Sequence, residues 1–229
     1  MTSAISSVML CWMLWKNRND LVWSQKCLSA MEVIQSALSV LNQWQFVQDK
    51  TFDNSLGYIL PEDGRVTWQA PMHNRVRINT DAALFSDTNR FSHAQVVRDH
   101  NGELVEAMSS CRQGTISPEA AEAMGIREAL SWVKQKQKQD GVVETDCLVV
   151  VQWIRSSYAT LSYVGRLVED CKQLLMDLQG KNVMLRFVKR SANSVTHYLA
   201  SYSSSLADRK WEKETVHPEF LSILCNDLK

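Results

Sequence analysis

The chain has 229 residues, 45% of them apolar and 22% charged, with 25 basic and 25 acidic side chains. That length and apolar content provide for a packed core and exclude global disorder. Formal neutrality excludes a chain-wide polyanion-binding surface, so any nucleic-acid contact must come from local basic clusters. The six cysteines are scattered and form no C-x-x-C pair, a spacing that fits neither a secreted disulfide framework nor a zinc site. They read as reduced thiols of an intracellular protein, nuclear or cytoplasmic and not secreted. The apolar run from Val8 to Trp15 is too short to span a bilayer and has no signal-peptide flanks, so no membrane association is expected.

In chain order, residues 1–50 read as a two-helix extension. The first helix carries Ile5, Val8, Met9, Trp12 and Trp15, and the second carries Ile34, Leu38, Leu41 and Trp44 at helical spacing. Trp12, Trp15 and Trp23 are assigned to the seam between these helices in preference to a partner surface. Residues 51–74 hold Gly57, Pro61, Gly64 and Pro71 with little periodicity, the mark of a linker. Residues 75–206 are the main domain, and 207–229 a C-terminal tail.

Within the domain, Val76, Ile78 and Thr80 alternate with Arg77, Asn79 and Asp81, predicting a half-buried strand. A second strand covers about 94–98, and Asn101-Gly102 turns the chain into a third near 104–109. Ser117-Pro118 opens a helix, Ser as the cap and Pro in the first turn, running to about Gln137. A fourth strand over 142–145, helices near 148–156 and 163–178, a fifth strand over 183–188 and a helix over 191–206 complete the order. Hairpin-linked strands followed by strand–helix alternation predict an α/β fold, a mixed sheet flanked by helices.

Three acids stand where this topology brings them together. Asp81 and Asp146 end strands one and four, and Glu122 lies one to two turns into the connecting helix. If strands one and four are parallel neighbours, the two aspartates meet at their carboxyl ends, where open α/β sheets place their sites. A carboxylate cluster is a poor structural device because its members repel one another. It is a good one for Mg²⁺, which prefers oxygen ligands and in pairs about 4 Å apart supports in-line phosphodiester displacement. Lys181, Arg186, Lys189, Arg190, Arg209, Lys210 and Lys213 form a local basic run that would attract phosphates.

The stretches RVRINTDAA, VVRDHNGELVEA, SPEAAEAMGIREAL, VVETDCLVVVQWI and RFVKRSANSVTHYLA, in this order over about residues 75–206, resemble the ribonuclease H-like (reverse transcriptase-like) domain of plant proteins derived from non-LTR retrotransposons. The resemblance implies a ribonuclease H-like fold, a five-stranded mixed sheet whose first three strands are antiparallel. It implies endonucleolytic hydrolysis of the RNA strand of RNA–DNA hybrids, with Mg²⁺ as cofactor and Mn²⁺ as an alternative. By position it makes Asp81, Glu122 and Asp146 catalytic metal ligands and places His197 fourth, where other members use Asp. It assigns Asn193, and with it Lys189 and Arg190, to substrate binding. Ala82, Ser92 and Ala94 stand where the family has glycines, which would let a nucleic-acid backbone approach closely.

A second reading stays open. The zero net charge, the replaced glycines and His197, a softer ligand than a carboxylate, fit a weak or inactive descendant that binds nucleic acid or protein. A third, a protein-interaction module using the tryptophan-rich helices, leaves its partner unknown.

Overall fold

The computed structural model describes residues 2–25, 27–38, 40–41, 60, 62–138, 140–156, 162–203, 208–216 and 218–227. The chain divides into two compact units, Met1–Leu56 and Gly57–Lys229.

In the first unit, α1 (Thr2–Ser24) is joined to α2 (30–38, with 40–41 also helical) by a short loop. Asn17 fastens that loop, accepting from the Leu28 N–H at 2.8 Å and donating to the Leu28 carbonyl at 3.2 Å. Ser29 and Glu32 form a capping box at the start of α2. The seam is made by Met13, Val33 and Ala37, with Leu10 and Val40 against them. The expected tryptophan seam is therefore corrected: Trp12, Trp15 and Trp23 are exposed, and Val8 and Ile34 with them. Helical spacing located an apolar stripe on each helix, but the buried residues are Met13 on α1 and Val33, Ala37 and Leu41 on α2, of which only Leu41 belongs to the expected stripe. Trp44 lies outside the described residues.

The second unit is built on one sheet. Its strands are β1 (Val76–Phe85), β2 (Arg90–Arg98), β3 (Leu104–Gln113), β4 (Gly141–Thr145), β5 (Met184–Phe187) and β6 (Arg209–Trp211), in spatial order β5-β4-β1-β2-β3-β6. β1, β2 and β3 are antiparallel, and β1, β4 and β5 run parallel. The mixed sheet is as expected except in strand number, six rather than five. β6 is the addition, a three-residue strand pairing with β3 through Ala107–Trp211 to Ser109–Arg209. Three residues are too few for period-two alternation to mark a strand in sequence.

Helices α3 (Pro118–Gln135), α4 (Leu148–Arg155) and α5 (Tyr163–Asp177) cover one sheet face. There Ile78, Val97 and Val143 pack against Ala123, Ile126, Leu130, Val150, Ile154 and Leu167. α6 (Ser194–Tyr202) and α7 (Pro218–Asn226) cover part of the other face, where Ala94, Val96 and Ala107 meet Val195, Leu199, Phe220 and Leu224. Ser117 caps α3, its hydroxyl accepting from the Ala120 N–H at 3.2 Å with Pro118 in the first turn. The turn between β2 and β3 uses Gly102 at positive φ and the Asp99 carboxylate, which accepts from the N–H groups of Asn101 and Glu103 at 2.9 Å each.

The rest of that second face is polar and buried. Arg77 and Asn79 alternate with the core residues of β1 as read, yet they are not solvated. Residues 62–71, expected to be linker, lie against them. Arg65 bridges to Val188, the Gly64 N–H donates to the Phe187 carbonyl at 2.8 Å, and Trp68 is buried with its indole N–H on Asn79 Oδ1 at 2.9 Å. Buried Glu144 pairs with Arg65 and with Arg77, the latter at 2.7 Å. The region read as a tail supplies β6 and α7, and Asp227 pairs with buried Arg98 at 2.7 Å.

Candidate metal centre

Parallel pairing of β1 with β4 ends at Thr80–Thr145. The next residue on each strand is an aspartate, Asp81 and Asp146, so the pairing sets the two carboxylates side by side. β1 itself continues to Phe85 along β2, so Asp81 lies inside a strand and not at its end. Glu122 comes from the second turn of α3. One carboxylate oxygen from each of Asp81, Glu122 and Asp146 can be chosen so that all lie within 4.8 Å of one another.

Each acid is held in place. The Ala82 N–H donates to Asp81 Oδ1 at 2.8 Å and to Glu122 Oε1 at 3.3 Å. The Thr145 hydroxyl donates to Glu122 Oε2 at 3.4 Å. Asn193, buried in the turn before α6, donates through Nδ2 to the Thr80 carbonyl at 3.0 Å and to Asp146 Oδ1 at 3.2 Å. Its amide nitrogen thus positions Asp146, while Oδ1 is buried without a hydrogen-bond partner. His197 Nδ1 lies 2.8 Å from Asp81 Oδ2.

Burial, then the charge of Asp146, pushes the Asp81 carboxyl above its usual range. Burial, then the charge of Asp81, pushes Glu122 well above its own. Such a cluster favours either protons or a cation. The donor set is carboxylate oxygen throughout, which fits a hard divalent ion held by Asp81, Glu122 and Asp146.

A cation already lies against two of these acids. Arg190 Nη1 donates to Asp146 Oδ2 at 2.7 Å and to Asp81 Oδ2 and Oδ1 at 3.3 and 3.4 Å, while Nη2 lies 3.2 Å from His197 Nε2. Burial works against the charge of this guanidinium, but the bond to Asp146 and the charges of Asp81, Asp146 and Glu122 raise its pKa above the ordinary value. Sequence reading counted Arg190 among the phosphate-facing cations and missed these partners. They depend on the short turn Arg190–Ala192, which carries no sequence period.

The rest of the basic run is partly neutralised. Arg186 pairs with Glu62 at 3.3 Å, Lys210 with Glu106 at 2.8 Å and Lys213 with Glu103 at 2.8 Å. Lys189 sits 5.5 Å over the Phe187 ring. Two of the positions where glycine was expected, Ser92 and Ala94, are buried, whereas Ala82 is part-buried beside the acids. The Ser92 hydroxyl donates to the Ala200 carbonyl at 2.6 Å, and Ala94 is buried under α6. Those two replacements pack against α6.

Among the described residues, no helix is long and apolar enough to cross a membrane. No curated protein matches the chain. Among solved structures, ribonuclease H1 of Halobacterium salinarum is 18% identical, covering 56% of this chain and 96% of its own, with a TM-score of 0.50. The N-terminal RNase H domain of rv2228c from Mycobacterium tuberculosis is also 18% identical, covering 56% and 92% with a TM-score of 0.48. Similarity to the first shows that the fold is ribonuclease H-like. The family model described as "Reverse transcriptase-like" matches residues 79–203, more than half of the chain and all of the acidic cluster, so the protein belongs to the reverse transcriptase-like family.

Proposed function

We propose that this protein is a metal-dependent endonuclease that hydrolyses the RNA strand of RNA–DNA hybrids by a two-metal in-line displacement. The observation that carries the reading is the convergence of Asp81, Glu122 and Asp146, from β1, α3 and the end of β4, on one largely buried point. A divalent ion bound there would polarise the phosphoryl oxygen and activate water. The chain's own residues do the rest. Asn193 and the Ala82 N–H hold the aspartates in register, and half-exposed His197 stands at the mouth, positioned by Asp81 to take up a proton. The choice of a hybrid, of Mg²⁺ with Mn²⁺ as substitute, of Lys189 as a phosphate contact, and of a plant non-LTR retrotransposon origin within the cell is supported by the motif order in the sequence.

A labelled RNA–DNA duplex incubated with purified protein tests this. Cleavage of the RNA strand is expected in Mg²⁺, none in chelator, and a loss of about 10³-fold or more in D146N, as for removal of a principal charge stabiliser. Undiminished cleavage by D146N would remove the proposal. One observation favours a second reading, a hybrid-binding module without turnover: Arg190 lies across the two aspartates. Its signature is a hybrid bound but left intact in both Mg²⁺ and Mn²⁺.

A further inference from the structure

We propose that Arg190 is a built-in competitor of the divalent cation, a resident positive charge that a metal ion must displace in order to bind. The inference rests on the metal-site reading above and adds a regulatory residue to it. Arg190 Nη1 uses the oxygens a metal would need: Asp146 Oδ2 at 2.7 Å and both oxygens of Asp81 at 3.3 and 3.4 Å. Two like charges cannot share those oxygens at that range without strong repulsion. The carboxylates are sunk, with Asp81 fully buried and Asp146 9% exposed, while the Arg190 side chain is 56% exposed. The guanidinium therefore lies at the open side of the pair. Its long side chain can swing outward without disturbing the core.

The same contact fixes the state of His197. A guanidinium has only donors, so His197 Nε2 accepts from Arg190 Nη2 at 3.2 Å. Nδ1 then carries the ring proton and donates to Asp81 Oδ2 at 2.8 Å. Departure of Arg190 would free Nε2 and both aspartates in one movement, and would leave a cation on the open side of the acidic pair, where a substrate phosphate would arrive. Metal loading and exposure of a phosphate-binding arginine thus become a single exchange. The metal-free protein meanwhile avoids the cost of unpaired buried carboxylates.

Calorimetric titration of Mn²⁺ into the metal-free full chain, for the wild type, R190Q, R190K and D146N, tests the idea without reference to turnover. R190Q is expected to bind Mn²⁺ roughly tenfold or more tightly than wild type, since a like charge beside the ion is removed. R190K, which keeps the charge but loses the fork, should fall between them. The melting temperature of R190Q should drop without metal and rise on Mn²⁺ addition by more than that of the wild type. If R190Q is unfolded without metal, folding induced by Mn²⁺ supports the proposal, and failure to fold with Mn²⁺ overturns it. Equal or weaker Mn²⁺ affinity in a folded R190Q also overturns it, leaving the metal centre intact. Absence of Mn²⁺ binding in wild type and R190Q alike overturns both this proposal and the metal centre. The D146N control should bind more weakly than either.

Discussion

Gly125 is the point where α3 crosses β1, and a β-carbon added there would lie closer than 3.0 Å to Thr80 Oγ1. That hydroxyl is buried without a hydrogen-bond partner, and Thr80 immediately precedes Asp81. The missing side chain at Gly125 thus lets the helix that carries Glu122 approach the strand that carries Asp81. G125A should cost about 1–3 kcal/mol, as overpacking of a tight core does, measured by urea denaturation. The double variant T80A/G125A should recover most of that loss because the clashing atom is gone. Simple additivity of the two substitutions would show that the contact does not set the helix–strand distance. At this scale the sequence was informative about the cluster: the acids Asp81, Glu122 and Asp146, with His197 against Asp81, come together as their order on strand, helix, strand and helix implied. It said nothing about Gly125, and it read Arg190 as a phosphate contact and not as the partner of Asp81 and Asp146. Gly125 belongs to the buried row Ala121, Gly125, Ala129 of α3, a pattern that marks a core face without naming the atom it meets, and the partners of Arg190 are distant in sequence.

At the scale of elements, the segment before β1 behaves as an edge clamp. Asp63 accepts from Arg155 Nη1 at 2.5 Å, from the Leu60 N–H at 2.7 Å and from the Phe187 N–H at 3.0 Å, tying the segment to α4 and β5. Burial works to raise the Asp63 carboxyl, but the bonds from Arg155, Leu60 and Phe187 outweigh it and hold its pKa below the usual aspartate range. A depressed carboxylate stabilises the fold above its unfolded pKa, and that contribution is lost as pH falls through the folded value. D63N should therefore lose about 3 kcal/mol at pH 7, the cost of breaking a buried pair. Its deficit against wild type should shrink as pH falls below the ordinary aspartate range. Denaturant titrations from neutral to strongly acidic pH would show this, and a deficit that does not change with pH would refute the clamp. β1 through β5 and their helices were legible because alternation and capping are local signals. The clamp and β6 were not, because each is one or three residues of pairing set by contacts far along the chain.

For the molecule as a whole, the polar cluster beneath the sheet decides how much chain is needed to fold. Glu144 is fully buried and depends on Arg65, Arg77 and Asn79, while Arg98 is stacked 3.6 Å from the Trp68 ring and paired with Asp227. Burial, with the charges of Arg65 and Arg98, already pulls Arg77 down to about 9, and burial pulls Arg98 down to about 10. Such a network has little surplus. A fragment limited to 75–206 keeps the three acids and the family-matched strands but discards Arg65, Trp68 and Asp227. It also loses Phe220 and Leu224 from the second core. Removing one partner of a buried pair costs about 3–5 kcal/mol, and domains hold only about 5–15 kcal/mol in total. Stripping both sides of this cluster therefore consumes the stability of the unit. Fragment 57–229 should unfold in one cooperative urea transition and bind Mn²⁺ with the affinity of the full chain. Fragment 75–206 should show no cooperative transition and no measurable Mn²⁺ binding, although every residue of the proposed metal centre is present. Cooperative unfolding of the shorter fragment would mean that the flanking segments rest on the sheet without supporting it, and that the buried charges find water once those segments are gone.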